Sequence, residues 1–292
     1  MSTTDPAAQR REHQRRRAGD PRFLAAAIAC AAAMTAFAFL VGLAIAVTAD
    51  LLRHSIIDSI FDERLGFQTF WGIGTLGYLW TLGTFGLIAG GASAAWLLDA
   101  YRGGEQRPQI LPSLAACAVA LAVVLNAPLW LDPLQVGTAV DPVFHEDEPW
   151  SVFGWIAYYA DLWLPALAVA VAVLVVASSI QHHRRLRAQI AARDRLLATG
   201  RRTRGSITDV TLRTSVNDQG QRSVVGADVT VKFTDDHGVA RWVTRLSRDR
   251  SAMPGTGFAE VLFDPRQPGD DDLIFVAFHP DPTPAEWIGT VL

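Results

Sequence analysis

Asp161 is the single ionisable side chain that the hydropathy pattern puts inside a membrane-length apolar stretch. A carboxyl group there is costly, so it is a functional candidate by default. It falls about six residues from the end of its stretch, roughly 9 Å along a helix. Asn126 lies just before Leu131, at the matching end of the preceding antiparallel stretch, which predicts a similar level for both. An Asp161–Asn126 pair fits a structural clamp or the wall of a small polar cavity. The clamp is preferred, because a solute path needs polar groups across the whole membrane. The remaining ones, Thr35, Thr75, Thr81, Thr84 and Ser93, can bond their own helix backbone.

Other residues invite chemistry less strongly. His145, Glu146, Asp147 and Glu148 concentrate hard oxygens that could attract a divalent cation, but consecutive residues seldom converge on one ion, and a solvated acidic loop is the simpler reading. Asp270, Asp271 and Asp272 read as a turn for the same reason. Cys30 and Cys117 both fall in apolar stretches and build neither a disulfide framework nor a metal cluster. Neither HExxH, GxSxG, a P-loop nor a paired CxxC occurs. The expectation is a protein that is not an enzyme and takes no cofactor or metal.

What must position these residues is a membrane domain. Half of the 292 residues are hydrophobic, 19% are charged and the mean hydropathy is +0.20. The apolar residues gather in uncharged windows at 23–49, 65–98, 108–131 and 162–180, each long enough or nearly so to cross a ~30 Å hydrocarbon core as a helix. The spans are predicted at about 23–49, 70–98, 109–131 and 155–180, which puts Asp161 within the fourth. The first stretch exceeds the ~7–15 residues of a signal-peptide core, so it is read as a retained span. Arg10, Arg11, Arg15, Arg16, Arg17 and Arg22 precede the first span, and Arg184, Arg185, Arg187, Arg193 and Arg195 follow the fourth, whereas the connection 132–150 has five acids and no base. Basic flanks stay in the cytoplasm, so both termini are predicted there. Trp71, Trp130, Trp150 and Trp155 fall near the outer boundary and Trp96 near the inner one, as an aromatic belt requires. Gly83, Gly86 and Gly90 recur on one face of the second span, where small residues let helices approach closely. That face serves packing within the chain or a homodimer.

Residues 181–204 carry eight arginines against Asp194 alone, with Leu186, Ile190 and Leu197 at helical spacing. They are read as a basic helical stalk whose arginines meet anionic lipid headgroups. From Gly205 the apolar period becomes two, as in Val229, Val231 and Phe233. Five strands are predicted at about 205–214, 224–234, 239–247, 258–264 and 273–279, closed as a small barrel that hides its edges. The turn at Asp236, His237 and Gly238 joins the second and third. The fold class is thus a four-helix membrane bundle plus a small C-terminal all-β domain. Residues 1–20 form a basic tail, 21–180 the membrane domain and 205–279 the β domain. The segment 280–292, with Trp287 and Ile288, either folds back on the barrel or forms a partner motif.

Within that β region, Gly205-x-Ile207-x-x-Val210, then Val231-x-Phe233-Thr234-Asp235-x-x-Gly238, then Gly257 and Val261-x-Phe263-Asp264-Pro265-x-x-Pro268 resemble an uncharacterised bacterial membrane-protein family, a domain of unknown function. That family joins a small β domain to membrane helices and ends in a Tyr-Asp-Pro-x-x-Pro motif. The match covers about 199–279, with Phe263 where the family has tyrosine. The resemblance implies a fold and no catalytic residue.

Between 205 and 280 eight bases face eleven acids, which lacks the basic footprint of a nucleic-acid binder. Arg241, Arg245, Arg248 and Arg250 form at most a local patch, read as a solvated or partner-facing surface. The leading expectation is an inner-membrane adaptor presenting its β domain to a cytoplasmic or membrane protein. A transporter or channel subunit using Asp161 and Asn126 is the alternative, and an accessory subunit of a membrane hydrolase a third. Arginine outnumbers lysine 25 to 1 and alanine is abundant, which points to a GC-rich bacterial genome.

Overall fold

The computed structural model describes residues 18–58, 73–102, 110–141, 143, 147–216, 222–247, 257–279 and 282–290. The arginines before Gly19, Trp71, His145, Glu146, Arg248 and Arg250 lie outside the described residues. The chain divides between Ile180 and Gln181 into two compact units.

In the first unit, Asp20 opens helix α1 (Pro21–Ile57) by accepting the Arg22 amide at 2.9 Å, with Pro21 at the first helical position. Helices α2 (Ile73–Arg102) and α3 (Ile110–Asn126) pack on α1, and a 3-10 turn, Ala127–Leu129, extends α3. A two-residue ladder pairs β1 (Thr138–Ala139) with β2 (Glu148–Pro149). Ser151 caps the short helix α4 (Val152–Tyr158), and helix α5 runs from Ala160 to Thr199 with Pro165 near its start. Four helices are long and apolar enough to cross a membrane. Their uncovered faces are apolar, as in Phe85, Leu125 and Leu174, which suits lipid as solvent.

Two boundaries differ from expectation. Helix α1 continues eight residues past Ala49, because the polar residues that follow find partners instead of water. The fourth span begins at Ala160 rather than near Trp155, since the short helix α4 ends at Tyr158 with Tyr159 as its cap.

In the second unit, the end of α5 leads through Gly200 into the sheet. Strands β3 (Arg201–Val216), β4 (Arg222–Thr234), β5 (Ala240–Ser247), β6 (Phe258–Phe263) and β7 (Ile274–Ala277) lie in the order β5-β4-β3-β6-β7, all antiparallel. The alternation read from the sequence decides the faces. Val229, Val231, Phe233, Val243, Val261, Phe263 and Val276 fill the inside of the curl. Leu262, Phe275 and Ala277 point the other way, under Leu196 of α5 and Trp287. Gly205 is central: a Cβ there would overlap Val231 and come within 3.1 Å of Val261. Gly238 takes φ +77° in the β4–β5 turn.

The sheet is a curled half-barrel, not a closed barrel, since β5 and β7 are not neighbours in the ladder. It also begins at Arg201, four residues before the expected strand start at Gly205. Arg201 pairs with Phe263 and ion-pairs with Asp236 at 3.3 Å, while Arg202 stacks over Trp287. The arginine run masks the strand because these side chains lie along its exposed surface. The C-terminal segment folds back: Ile288 and Val276 exchange two backbone hydrogen bonds, and Trp287 is 1% exposed.

Candidate functional site

Asp161 and Asn126 are not joined by a hydrogen bond. The Asn126 side-chain oxygen accepts the Trp130 indole N–H at 3.2 Å, one turn along its own chain. Asp161 is half-buried in the first turn of α5, where a carboxylate complements the helix dipole. Each residue is thus placed locally, Asn126 on the Trp130 indole and Asp161 in the first turn of its helix.

The chain concentrates its buried charge elsewhere. Asp50, Arg53 and His54 stand at i, i+3 and i+4 on one face of α1 and Asp58 follows as its extended C-cap, each less than a tenth exposed. Arg53 reaches across the unit: Nη1 donates to the Leu131 carbonyl at 2.7 Å and Nε to the Tyr158 carbonyl at 3.3 Å. Its guanidinium lies 5.8 Å from the Trp130 ring centre and 6.0 Å from that of Tyr158. Asp50 lies 3.9 Å from Arg53. His54 Nε2 stands 3.7 Å from Asp58, an ion pair only when the imidazole is protonated, and Asp58 accepts the Leu134 amide at 3.3 Å. The Trp150 indole N–H donates to the Ile57 carbonyl at 2.6 Å, ending the helix with a side-chain cap.

This constellation is a clamp. It ties one end of α1 to the segments 130–134 and 150–158, and its guanidinium serves backbone carbonyls that no helix or ladder satisfies. Asp161 is consequently not the only ionisable group at a helix of spanning length. The signal was present, since the spacing 50, 53, 54, 57, 58 continues the α1 face beyond Ala49. Trp130 and Trp150, expected as belt anchors, are buried in the clamp, whereas Trp155 and Trp96 are exposed.

The glycine face of α2 is occupied within the chain. A Cβ on Gly86 would overlap the Phe37 ring, one on Gly83 would meet Val41 at 3.0 Å, and one on Gly90 would meet Met34 at 3.2 Å. Small residues bring α2 onto α1, and a dimer through that same face would have to displace α1. Thr35 and Thr81 bond carbonyls one turn back in their own helices, as expected.

On the stalk, Arg184, Arg185, Arg187 and Arg195 are exposed, while Arg193 is half-buried and bonded to Asp194. Leu186, Gln189 and Leu196 are the covered positions, and Gln189 donates to Thr290, which donates to Asp272. In the motif region, Phe263 is fully buried against Phe233, with ring centres 5.4 Å apart. The Asp264 side chain accepts the Arg266 amide and its carbonyl accepts that of Gln267, making the turn. Pro265 follows within it, and Pro268 lines an open cleft of about 300 Å³ with Arg241, Trp242 and Ile274. Asp270 accepts the Asp272 amide and starts a 3-10 turn, as the turn reading expects. Among the described residues no group of three or more His, Cys, Asp and Glu is arranged to hold a metal ion.

Arg245, which the patch reading left on the surface, and Asp235 both serve the structure of the β unit. Arg245 is 2% exposed and spans the gap between β5 and β7, donating to the carbonyls of Thr244, Asp271 and Ile274 and to the Asp271 carboxylate. Asp235 organises the β4–β5 turn. Burial alone would push its carboxyl up, but the Val239 amide, the Arg241 guanidinium and the His237 amide all donate to it and hold it below its ordinary value of 3.8.

The chain was compared with known protein families, with curated proteins and with solved structures, and it matches none of them.

Proposed function

We propose that this is a multi-pass protein of the bacterial plasma membrane, with both termini in the cytoplasm, that works as an adaptor presenting its β unit to a protein partner. One observation carries the reading. Helix α5 is continuous from Ala160 to Thr199 and enters the central strand after a single residue, with Leu196 and Ala192 packed on the sheet beside Trp287. The exposed stalk arginines suit anionic headgroups, and Trp242, 59% exposed beside the open cleft, offers an aromatic anchor for a partner. The transporter alternative has less to rest on, because Asp161 and Asn126 are each engaged or placed locally.

The test is photo-crosslinking in native membranes from position 242, with position 174 on the apolar face of α5 as control. The adaptor reading expects a discrete adduct with a second protein from 242 that 174 does not give. It fails if 242, 239 and 225 give no adduct while proteoliposomes show a solute flux abolished by Asp161→Asn.

A further inference from the structure

The C-terminal segment lies on the β unit as a bound peptide lies on its receptor. Its own turn is closed from within: Pro284–Glu286 form a 3-10 turn, and the Glu286 carboxylate accepts the Thr283 amide at 2.8 Å. Beyond that turn Ile288 pairs with Val276 of β7, the last strand in the sheet order, and each amide donates to the other's carbonyl, at 2.9 and 3.0 Å. Pairing an extended segment with a sheet edge is a recurring mode of peptide recognition, in which backbone bonds give affinity and side-chain pockets give specificity.

The residues flanking Ile288 supply that specificity. Trp287 fills a slot formed by Leu196 of the stalk, Leu262, Phe275 and Ala277, with Ala192 packed beside it. The Arg202 guanidinium lies 5.6 Å from its ring centre. Gly289 passes where no side chain fits: a Cβ there would stand 2.9 Å from the Phe275 ring and 3.0 Å from the Gln189 side-chain oxygen. Thr290 ends the contact, accepting from Gln189 and donating to Asp272, each at 2.9 Å. What this surface accepts is therefore an aromatic residue, then any residue, then glycine. The tail is an imperfect version of that pattern. Its Trp287 indole N–H is buried and meets no acceptor among the described residues, which offsets part of what the ring gains by burial. A phenylalanine ring would enter the slot without stranding a donor.

We infer that this slot and the adjoining edge of β7 are a docking site for an extended aromatic-x-Gly segment of another protein, occupied in its absence by the chain's own tail. The tail is terminal, its turn is self-contained, and it adds a single bridge to the sheet among the described residues, so it can leave while the five strands stay paired. A segment with phenylalanine at the aromatic position displaces it by making the same contacts with no donor left unpaired. The slot shares no lining residue with the cleft beside Trp242 and takes such a segment whether or not that cleft holds a partner.

The test uses the full chain in nanodiscs and a fluorescein-labelled peptide of residues 282–292, followed by anisotropy, with further peptides carrying Trp287→Phe or Gly289→Val. Full-length Trp287→Ala, whose slot is emptied, should bind the native peptide at least tenfold more tightly than the unaltered chain does. The Trp287→Phe peptide should bind it threefold or more tighter still, and the Gly289→Val peptide should not bind. A second chain keeps the slot filled. In a Cys30→Ala/Cys117→Ala background, Val276→Cys/Ile288→Cys sets a disulfide across a hydrogen-bonded pair whose Cα atoms lie ~5.5 Å apart. Oxidised, it should link within one chain and exclude the Trp287→Phe peptide, and reduction should admit it. Melting curves establish that each variant is folded, and the disulfide comparison decides even where Trp287→Ala does not fold. The proposal is overturned if folded Trp287→Ala takes up none of the peptides, if the Trp287→Phe peptide binds no more tightly than the native one, or if the Gly289→Val peptide binds as well. It is equally overturned if oxidised and reduced chains bind alike, or if the 276–288 disulfide forms between two chains, which would assign the slot to a second copy.

Discussion

Arg53 and Arg245 solve one problem in two different settings. Each is buried, each donates to main-chain carbonyls, and each holds a joint that regular secondary structure leaves open. Arg53 joins the end of α1 to two distant segments, and Arg245 joins the two edges of the half-barrel. Their counter-charges differ. Asp50 beside Arg53 is itself buried, whereas Asp271 beside Arg245 has a side chain 61% exposed. Removing Arg53 would strand a second charge away from water, whereas removing Arg245 would return Asp271 to solvent. A buried arginine is worth as much as what its loss leaves behind.

That contrast can be broken by measurement. Arg53→Met should lower the stability of the detergent-solubilised chain by about 3–5 kcal/mol, and adding Asp50→Leu should recover part of it. Arg245→Met leaves carbonyls unpaired but no buried charge, so about 2–3 kcal/mol is expected, read from unfolding of the β unit. Equal losses would remove the distinction. Gly86→Leu tests a joint made without polar groups: overlap with Phe37 should cost about 1–3 kcal/mol, partly relieved by Phe37→Ala. The smallest effect under neutral conditions concerns Asp235. Its lowered value means its contribution is complete above the ordinary 3.8 and is lost as pH falls below that toward its native value. The β unit should therefore lose stability in acid, and Asp235→Asn should flatten that limb while changing nothing in the clamp around Arg53.

The same contrast marks what the residues alone disclose. Four apolar helices are legible because their uncharged windows are long enough to span, and five strands because of a period of two, and the observed strands start or stop within a few residues of those readings. The clamp is not, because Arg53 looks like a loop charge until Leu131 and Tyr158, far along the chain, are seen to receive it. Arg245 hides in the same way: alternation places it on β5, but which edge its guanidinium reaches depends on how far the sheet curls. Gly83, Gly86 and Gly90 advertise a close approach without saying to whom, since Phe37 and Met34 carry no matching mark. The partner of Asn126 is not legible either, since its side-chain oxygen takes the Trp130 indole N–H one turn along its own chain. Periodic features are local, and polar closures are tertiary.

The strand order has a consequence in time. β3 is first in the chain and middle in space, so β4 and then β5 add on one side as they emerge, and β6 and then β7 on the other. Three of the four pairings join neighbours in sequence, and only the one that sets Arg201 against Phe263 closes a long loop. The cost of that closure grows slowly with length, and contacts this local favour quick folding. A circular permutation that kept every contact but placed β3 last would leave two half-sheets waiting for their centre, and it should refold markedly more slowly with little change in final stability.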